Sequence, residues 1–135
     1  MTPIKKVLII DDCPINSFLS QKALAEFNED ISTKTINFPE EALDYLKSIL
    51  DLSINNLNAF KPDIVFLDLH MPQMTGFQML DELEKNEAFI QNPIDIYMLS
   101  SSCLERDIQI ALNKKLCQGF ITKPLNQIKL NTLFR

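Results

Sequence analysis

The alternation of short strand-like runs with longer amphipathic stretches constrains this chain more than any other feature. The runs are KVLII (6–10), STKTINF (32–38), DIVFL (63–67), IDIYML (94–99) and GFIT (119–122). They are rich in β-branched residues, and most lack polar alternation, the pattern of a strand covered on both faces. Between and after them lie INSFLSQKALAEF (15–27), PEEALDYLKSIL (39–50), GFQMLDELEKNEAF (76–89), LERDIQIALNKKL (104–116) and NQIKLNTLF (126–134). Their apolar residues recur at spacings of three and four, which predicts helices. In the first, Ile15, Phe18, Leu19, Ala23 and Phe27 form the expected stripe, with Pro14 suited to the opening turn. The second opens on Pro39, Glu40 and Glu41 before a stripe of Ala42, Leu43, Leu46, Ile49 and Leu50. The segment DLSINNLNAFK (51–61) weakens the periodicity and is expected to be a frayed helix end and loop.

Strands separated by helices need right-handed crossover connections, and these produce a parallel sheet with helices on both faces. The expected fold is therefore α/β, a flavodoxin-like (βα)5 doubly wound parallel sheet with strand order 2-1-3-4-5. A chain of 135 residues, 46% of them hydrophobic, fits one domain spanning residues 1–135. In such sheets the binding crevice lies beyond the carboxyl ends of the strands, so the residues that follow each strand carry the functional information.

Those residues are Asp11 and Asp12 after the first strand, Asp68 at the end of the third, Ser100, Ser101 and Ser102 after the fourth, and Lys123 and Pro124 after the fifth. A carboxylate closing an apolar core strand costs several kcal/mol of desolvation unless a cation or water meets it, so Asp68 demands a partner. The predicted strand order brings the three aspartates together, where they would raise one another's pKa unless a cation intervened. An oxygen-only donor set points to Mg²⁺ rather than zinc, with phosphate oxygens as its further ligands. Lys123 then counters the charge of a phosphoryl group, Ser100 donates to one of its oxygens, and Asp68 is left as the nucleophile.

Other function classes are excluded. The net charge is −5 and the lysines and arginines are scattered, so no basic patch for a nucleic acid is present. With Gly76 and Gly119 as its only glycines, the chain holds neither G-x-x-x-x-G-K-[ST] nor G-x-G-x-x-G. No run approaches the roughly 20 apolar residues of a membrane span, and the N-terminus lacks a signal-peptide pattern, so a cytoplasmic protein is expected. Cys13, Cys103 and Cys117 are odd in number and lack metal-ligand spacing, and they read as packing residues, as do Met71, Met74 and Met79.

The fragments LIIDDCPIN, IVFLDLHMPQMTG, IYMLSSS and GFITKPL, in this order, closely resemble the receiver domains of two-component response regulators, the CheY-like family. The resemblance implies that Asp68 is the phospho-acceptor of a phosphorelay, served by a sensor histidine kinase or phosphotransfer protein. It also implies Mg²⁺, with Mn²⁺ as an alternative, on Asp12, Asp68 and the His70 backbone carbonyl, with Asp11 acting largely through water. Ser100 matches the switch hydroxyl, with Ser101 also eligible, Phe120 the aromatic switch residue, and Lys123 the phosphate-contacting lysine. The Lys123–Pro124 bond is cis in many relatives. The implied output is a stand-alone switch without enzymatic turnover, reaching an unknown output protein, or a second copy in a homodimer, through the fourth helix, fifth strand and fifth helix.

Two rival readings stand beside it. A phosphatase of the haloacid-dehalogenase type would want a second Asp two residues after the nucleophile, where this chain has His70. A degenerate receiver serving only as an interaction module would lack an acidic or lysine position, and none is lacking here.

Overall fold

The computed structural model describes residues 4, 6–49, 60–102 and 104–134. Strands β1 (Lys6–Ile10), β2 (Ser32–Ile36), β3 (Ile64–Asp68), β4 (Asp95–Ser100) and β5 (Cys117–Thr122) form a parallel sheet in the order β2-β1-β3-β4-β5. Among the described residues the connections carry six helices: α1 (Pro14–Phe27), α2 (Pro39–Ile49), α3 (Gly76–Glu84), α4 (Glu87–Gln91), α5 (Glu105–Leu112) and α6 (Gln127–Leu133). Leu50, Cys103 and most of the loop expected over 51–61 lie outside the described residues.

Side chains alternate across a strand, so a run without polar interruption fills two cores at once. Val7, Ile9, Ile64, Phe66 and Leu99 pack on one side with Ala23 and Leu24 of α1 and Leu130 of α6. Leu8, Ile10, Val65, Leu67, Ile96 and Met98 pack on the other with Leu43 and Leu46 of α2, Met79, Leu80 and Leu83 of α3, and Phe89 of α4. Each such side chain contributes about 1.5–3 kcal/mol on burial. The strands are thereby held in a register that sets where their carboxyl ends emerge.

The helices differ from expectation in three places. The single helix predicted over 76–89 is two, because Lys85 caps α3 and the Asn86 side chain accepts from the Phe89 amide to start α4. The helix predicted over 104–116 covers only Glu105–Leu112, where the Asn113 amide closes it on carbonyls of the last turn. Most consequential is α1, whose buried residues are Ser17, Ser20, Ala23 and Leu24. Ile15, Phe18 and Leu19 of the expected core stripe are 70%, 61% and 50% exposed. The inward face is polar in the first half of the helix, where Ser17 Oγ lies within reach of the Asp11 and Cys13 carbonyls and accepts from Asn37 Nδ2 at 3.0 Å, while Ala23 and Phe27 of the expected stripe do pack toward the core in the second half. Cys13 and Cys117 are half-buried, Met71 and Met79 buried, and Met74 partly so.

The start of α3 is pressed against the end of β3. A capping box joins Thr75 and Gln78, and the Gly76 amide donates to the Leu69 carbonyl at 2.8 Å. A Cβ on Gly76 would stand 2.9 Å from the Asp68 carbonyl oxygen and 3.2 Å from the Leu69 Cα, both backbone atoms that cannot swing aside. Gly76→Ala is expected to cost about 1–3 kcal/mol by displacing the β3–α3 junction, read as a lowered denaturant midpoint at unchanged slope. A neutral substitution there would mean that the junction is looser than its contacts imply.

Candidate functional site

The carboxyl edge of the sheet is where the apolar runs stop and polar chemistry begins. Asp11, the residue after β1, donates its amide to the Ile36 carbonyl, and its Oδ1 accepts from the Cys13 amide at 2.9 Å. Asp68 is the last residue of β3, and the next amide, that of Leu69, is tied to the Leu99 carbonyl of β4. Asp11 is 1% exposed and Asp68 4%, while Asp12 beside them is half-buried. One carboxylate oxygen from each of the three lies within 4.8 Å of the others.

Lys123 enters this group from the end of β5. Its amide donates to the Ser100 carbonyl, and its Nζ donates to Asp11 Oδ2 at 2.8 Å and stands 3.1 Å from Asp68 Oδ1. Burial, above all, and the facing charge of Asp11 push the Asp68 carboxyl up from 3.8 to about 6, against the opposing pull of Lys123. Burial disfavours charge on Lys123, but its hydrogen bond to Asp11 and the charges of Asp68 and Asp11 outweigh it and hold the ammonium above its usual value. Three acids against one base leave the pocket short of positive charge. Its donors are oxygens alone, which suits a hard divalent cation that keeps part of its shell for water or phosphate.

The remaining expected residues are dispersed around this centre. Ser100 is fully buried at the end of β4, and its Oγ accepts from the Ser102 amide at 3.0 Å, whereas Ser101 is exposed. Phe120 is half-buried on β5, touches the core on the α2–α4 side, and borders a groove of about 500 Å³ with Tyr97, Ile128 and Lys129. The Lys123–Pro124 peptide is cis. His70 is exposed, and its Nε2 faces Asp107 Oδ2 of α5 at 3.7 Å.

Two residues of this neighbourhood escape the sequence pattern. Asn37 follows β2 and donates to the Asp11 carbonyl at 2.7 Å, fixing the acidic turn from the far side. The run STKTINF hides it, since the strand ends at Ile36 rather than Phe38. Asp107 is the other, an acid in the first turn of a helix that on sequence alone passes for a favourable match to the helix dipole.

A doubly wound parallel sheet with three clustered aspartates and a lysine at its carboxyl edge defines an α/β protein with an acidic pocket whose oxygens could hold a cation. The family model described as the response regulator receiver domain matches residues 7–135, and the chain belongs to that family. It is 29% identical over 126 residues to the two-component response regulator ARR7 of Arabidopsis thaliana, covering 92% of this chain and 58% of that one. It is 28% identical over 129 residues to a protein-glutamate methylesterase/protein-glutamine glutaminase of Oceanobacillus iheyensis, covering 93% of this chain and 32% of that one. The chain thus spans from about a third to three fifths of the length of these curated relatives. Its fold is shared with a two-component response regulator from Cytophaga hutchinsonii, at a TM-score of 0.83, 24% identity, and coverage of 98% and 96% of the two chains. Membership of this family places the chain in two-component signalling. No described helix is long and apolar enough to cross a membrane.

Proposed function

We propose that Asp68 is the phospho-acceptor of a receiver spanning residues 1–135, charged from a histidine kinase or phosphotransfer protein. The observation that carries this reading is the meeting of Asp11, Asp12 and Asp68 within 4.8 Å, with Lys123 bridging two of them. A carboxylate oxygen of Asp68 attacks phosphorus as the P–N bond of the donor's phosphohistidine breaks, and the imidazole departs with the electron pair. Lys123 keeps Asp68 ionised and is placed to draw one phosphoryl oxygen, while Ser100 supplies a hydroxyl to another. Ser100 is favoured over Ser101 as the switch because it is buried beside the pocket and Ser101 faces outward. Asp11, Asp12, Asp68 and the His70 carbonyl would hold Mg²⁺ or Mn²⁺, which when bound neutralises charge on the phosphoryl group.

The partner surfaces follow from exposure. Ile15, Phe18 and Leu19 project from α1 immediately after the Asp11–Asp12 turn, where a protein donor must come to reach Asp68. An output partner, or a second copy, would meet the face made by α5, β5 and α6, where Leu104, Ile110, Leu112 and Ile128 are exposed and Phe120 borders a groove. The role is that of a switch rather than an enzyme with turnover, and a kinase fed by ATP carries a cytoplasmic setting with it.

Incubation with Mg²⁺ and acetyl phosphate is expected to add one phosphoryl group, discharged by hydroxylamine and absent from Asp68→Asn. Phe18→Ser should leave that reaction unchanged and slow transfer from a phosphorylated protein donor about tenfold or more, the scale of losing one central interface anchor. Absence of an adduct with both donor types would remove the reading and leave a phosphorylation-independent interaction module.

A further inference from the structure

We infer that Asp107 is a positioning residue acting through His70, the two forming a latch that ties α5 to the loop after Asp68 and opens when Asp68 is phosphorylated. The inference rests on the phospho-acceptor reading for what opens the latch, though not for the latch itself. Helix α5 is thinly anchored: its buried residues are Asp107 and Ala111, and its N-cap, Leu104, makes no side-chain hydrogen bond. One of the two groups holding it inward is therefore a carboxylate, 7% exposed, and burial makes such a group seek a donor. Among the described residues the side chain facing the Asp107 carboxylate is the His70 imidazole, whose Nε2 stands 3.7 Å from Oδ2.

His70 belongs to a different element, two residues beyond the proposed phospho-acceptor, so the contact joins the β3–α3 loop to α5. A phosphoryl group on Asp68 would add about −1.5 to −2 charges and strong acceptor oxygens two residues from His70. It competes with Asp107 for the His70 imidazole, and this connection of α5 weakens. The Ser100 Oγ, which accepts from the Ser102 amide, keeps its hydroxyl proton for a phosphoryl oxygen, so that contact takes no part in the competition. A helix held by so little apolar surface is the element whose population such a competition shifts.

The test compares the full chain with Asp107→Asn, His70→Ala and the double variant at one neutral pH. In the unphosphorylated protein, amide hydrogen exchange across Glu105–Leu112 is expected to rise about threefold to tenfold in either single variant and no further in the double, the mark of two residues acting as one contact. Affinity for beryllofluoride with Mg²⁺ should tighten by a similar factor in Asp107→Asn, because the latch no longer opposes the phosphorylated arrangement, and not in His70→Ala or the double variant, where the group drawn to the phosphoryl mimic is gone as well. Asp107→Glu, which keeps the carboxylate, should restore much of the protection. An exchange effect of Asp107→Asn that persists undiminished in the His70→Ala background would overturn the latch, since loss of a helix-dipole contact alone behaves in that way. So would unchanged exchange in both singles. If the parent chain bound no beryllofluoride and formed no acyl phosphate, the phospho-acceptor reading would fall, and the exchange measurements would still decide whether the latch exists.

Discussion

In metal-free buffer at neutral pH, Asp68→Asn should be more stable than the parent chain by about 1–3 kcal/mol, a rise in Tm of several degrees for a domain of this size. The same change removes the proposed phospho-acceptor, so stability and function move in opposite directions. The sign follows from the carboxyl's environment. Burial, joined by the charge of Asp11, raises the folded value to about 6 from 3.8, so the native state holds a proton that the unfolded chain has released. Between those values parent stability falls as pH rises. The penalty is fully present above about pH 6 and absent below about pH 4. The advantage of the amide should accordingly be largest at neutral pH and fade to nothing on acidification. Excess Mg²⁺ should narrow or reverse the difference, because the parent offers the cation a carboxylate that the variant lacks, and ligand bound only by the native state adds to stability. Thermal melts of both proteins across this pH range, with EDTA and with Mg²⁺, check each element. A variant less stable than its parent in EDTA would show that Lys123 already compensates Asp68 in full.

This trade has a bearing on how far the sequence could be followed. The strand order was legible because β1, β3 and β4 are largely apolar on both faces, leaving room only in the middle of a doubly wound sheet, and Asp68 closes β3 while Asp11 and Asp12 follow β1 directly. Asp11, Asp68 and Lys123 could be read for the same reason that makes Asp68 unstable: each breaks a local rule where packing alone would place something else. The face of α1 could not be read in this way. Ile15, Phe18 and Leu19 repeat at helical spacing as a core stripe would, and periodicity identifies two opposed faces without saying which is inward. Hydrogen bonds of Ser17 to neighbouring carbonyls and to Asn37 decide it, and those partners come from the β1–α1 turn and the end of β2. The division between α3 and α4 was hidden for a related reason, since Phe89 continues the apolar phase of Met79, Leu80 and Leu83, while the break depends on one capping contact of Asn86. Asp107 and His70 lie 37 positions apart, and nothing local in either residue announces the other.

Lys123→Ala should be the most damaging substitution at the pocket, costing about 3–5 kcal/mol in metal-free buffer, the range found when one partner of a buried ion pair is removed. The loss is of compensation more than of contact. Asp11 and Asp68, 1% and 4% exposed in the parent chain, would face each other at the ends of adjacent strands with no ammonium between them. Because the folded Lys123 is held above its unfolded value, its own charge is lost only as pH climbs through that raised value, and although protonation of Asp68 near pH 6 lightens the cost of Lys123→Ala, an acid titration does not separate the shares of the two carboxylates. Two other conditions do. Placed in the Asp68→Asn background, Lys123→Ala should cost markedly less, since one of the two stranded carboxylates is gone, and the difference between the two costs measures their coupling. Added Mg²⁺ should recover part of the loss in the single variant, because a divalent cation meets the same oxygens that the lysine leaves exposed to one another. Urea titrations of the four proteins of this cycle, with EDTA and with Mg²⁺, supply every quantity needed. Equal costs in the two backgrounds, insensitive to Mg²⁺, would mean that Lys123 acts through the packing of its aliphatic stem and that the acids are neutralised by some other route.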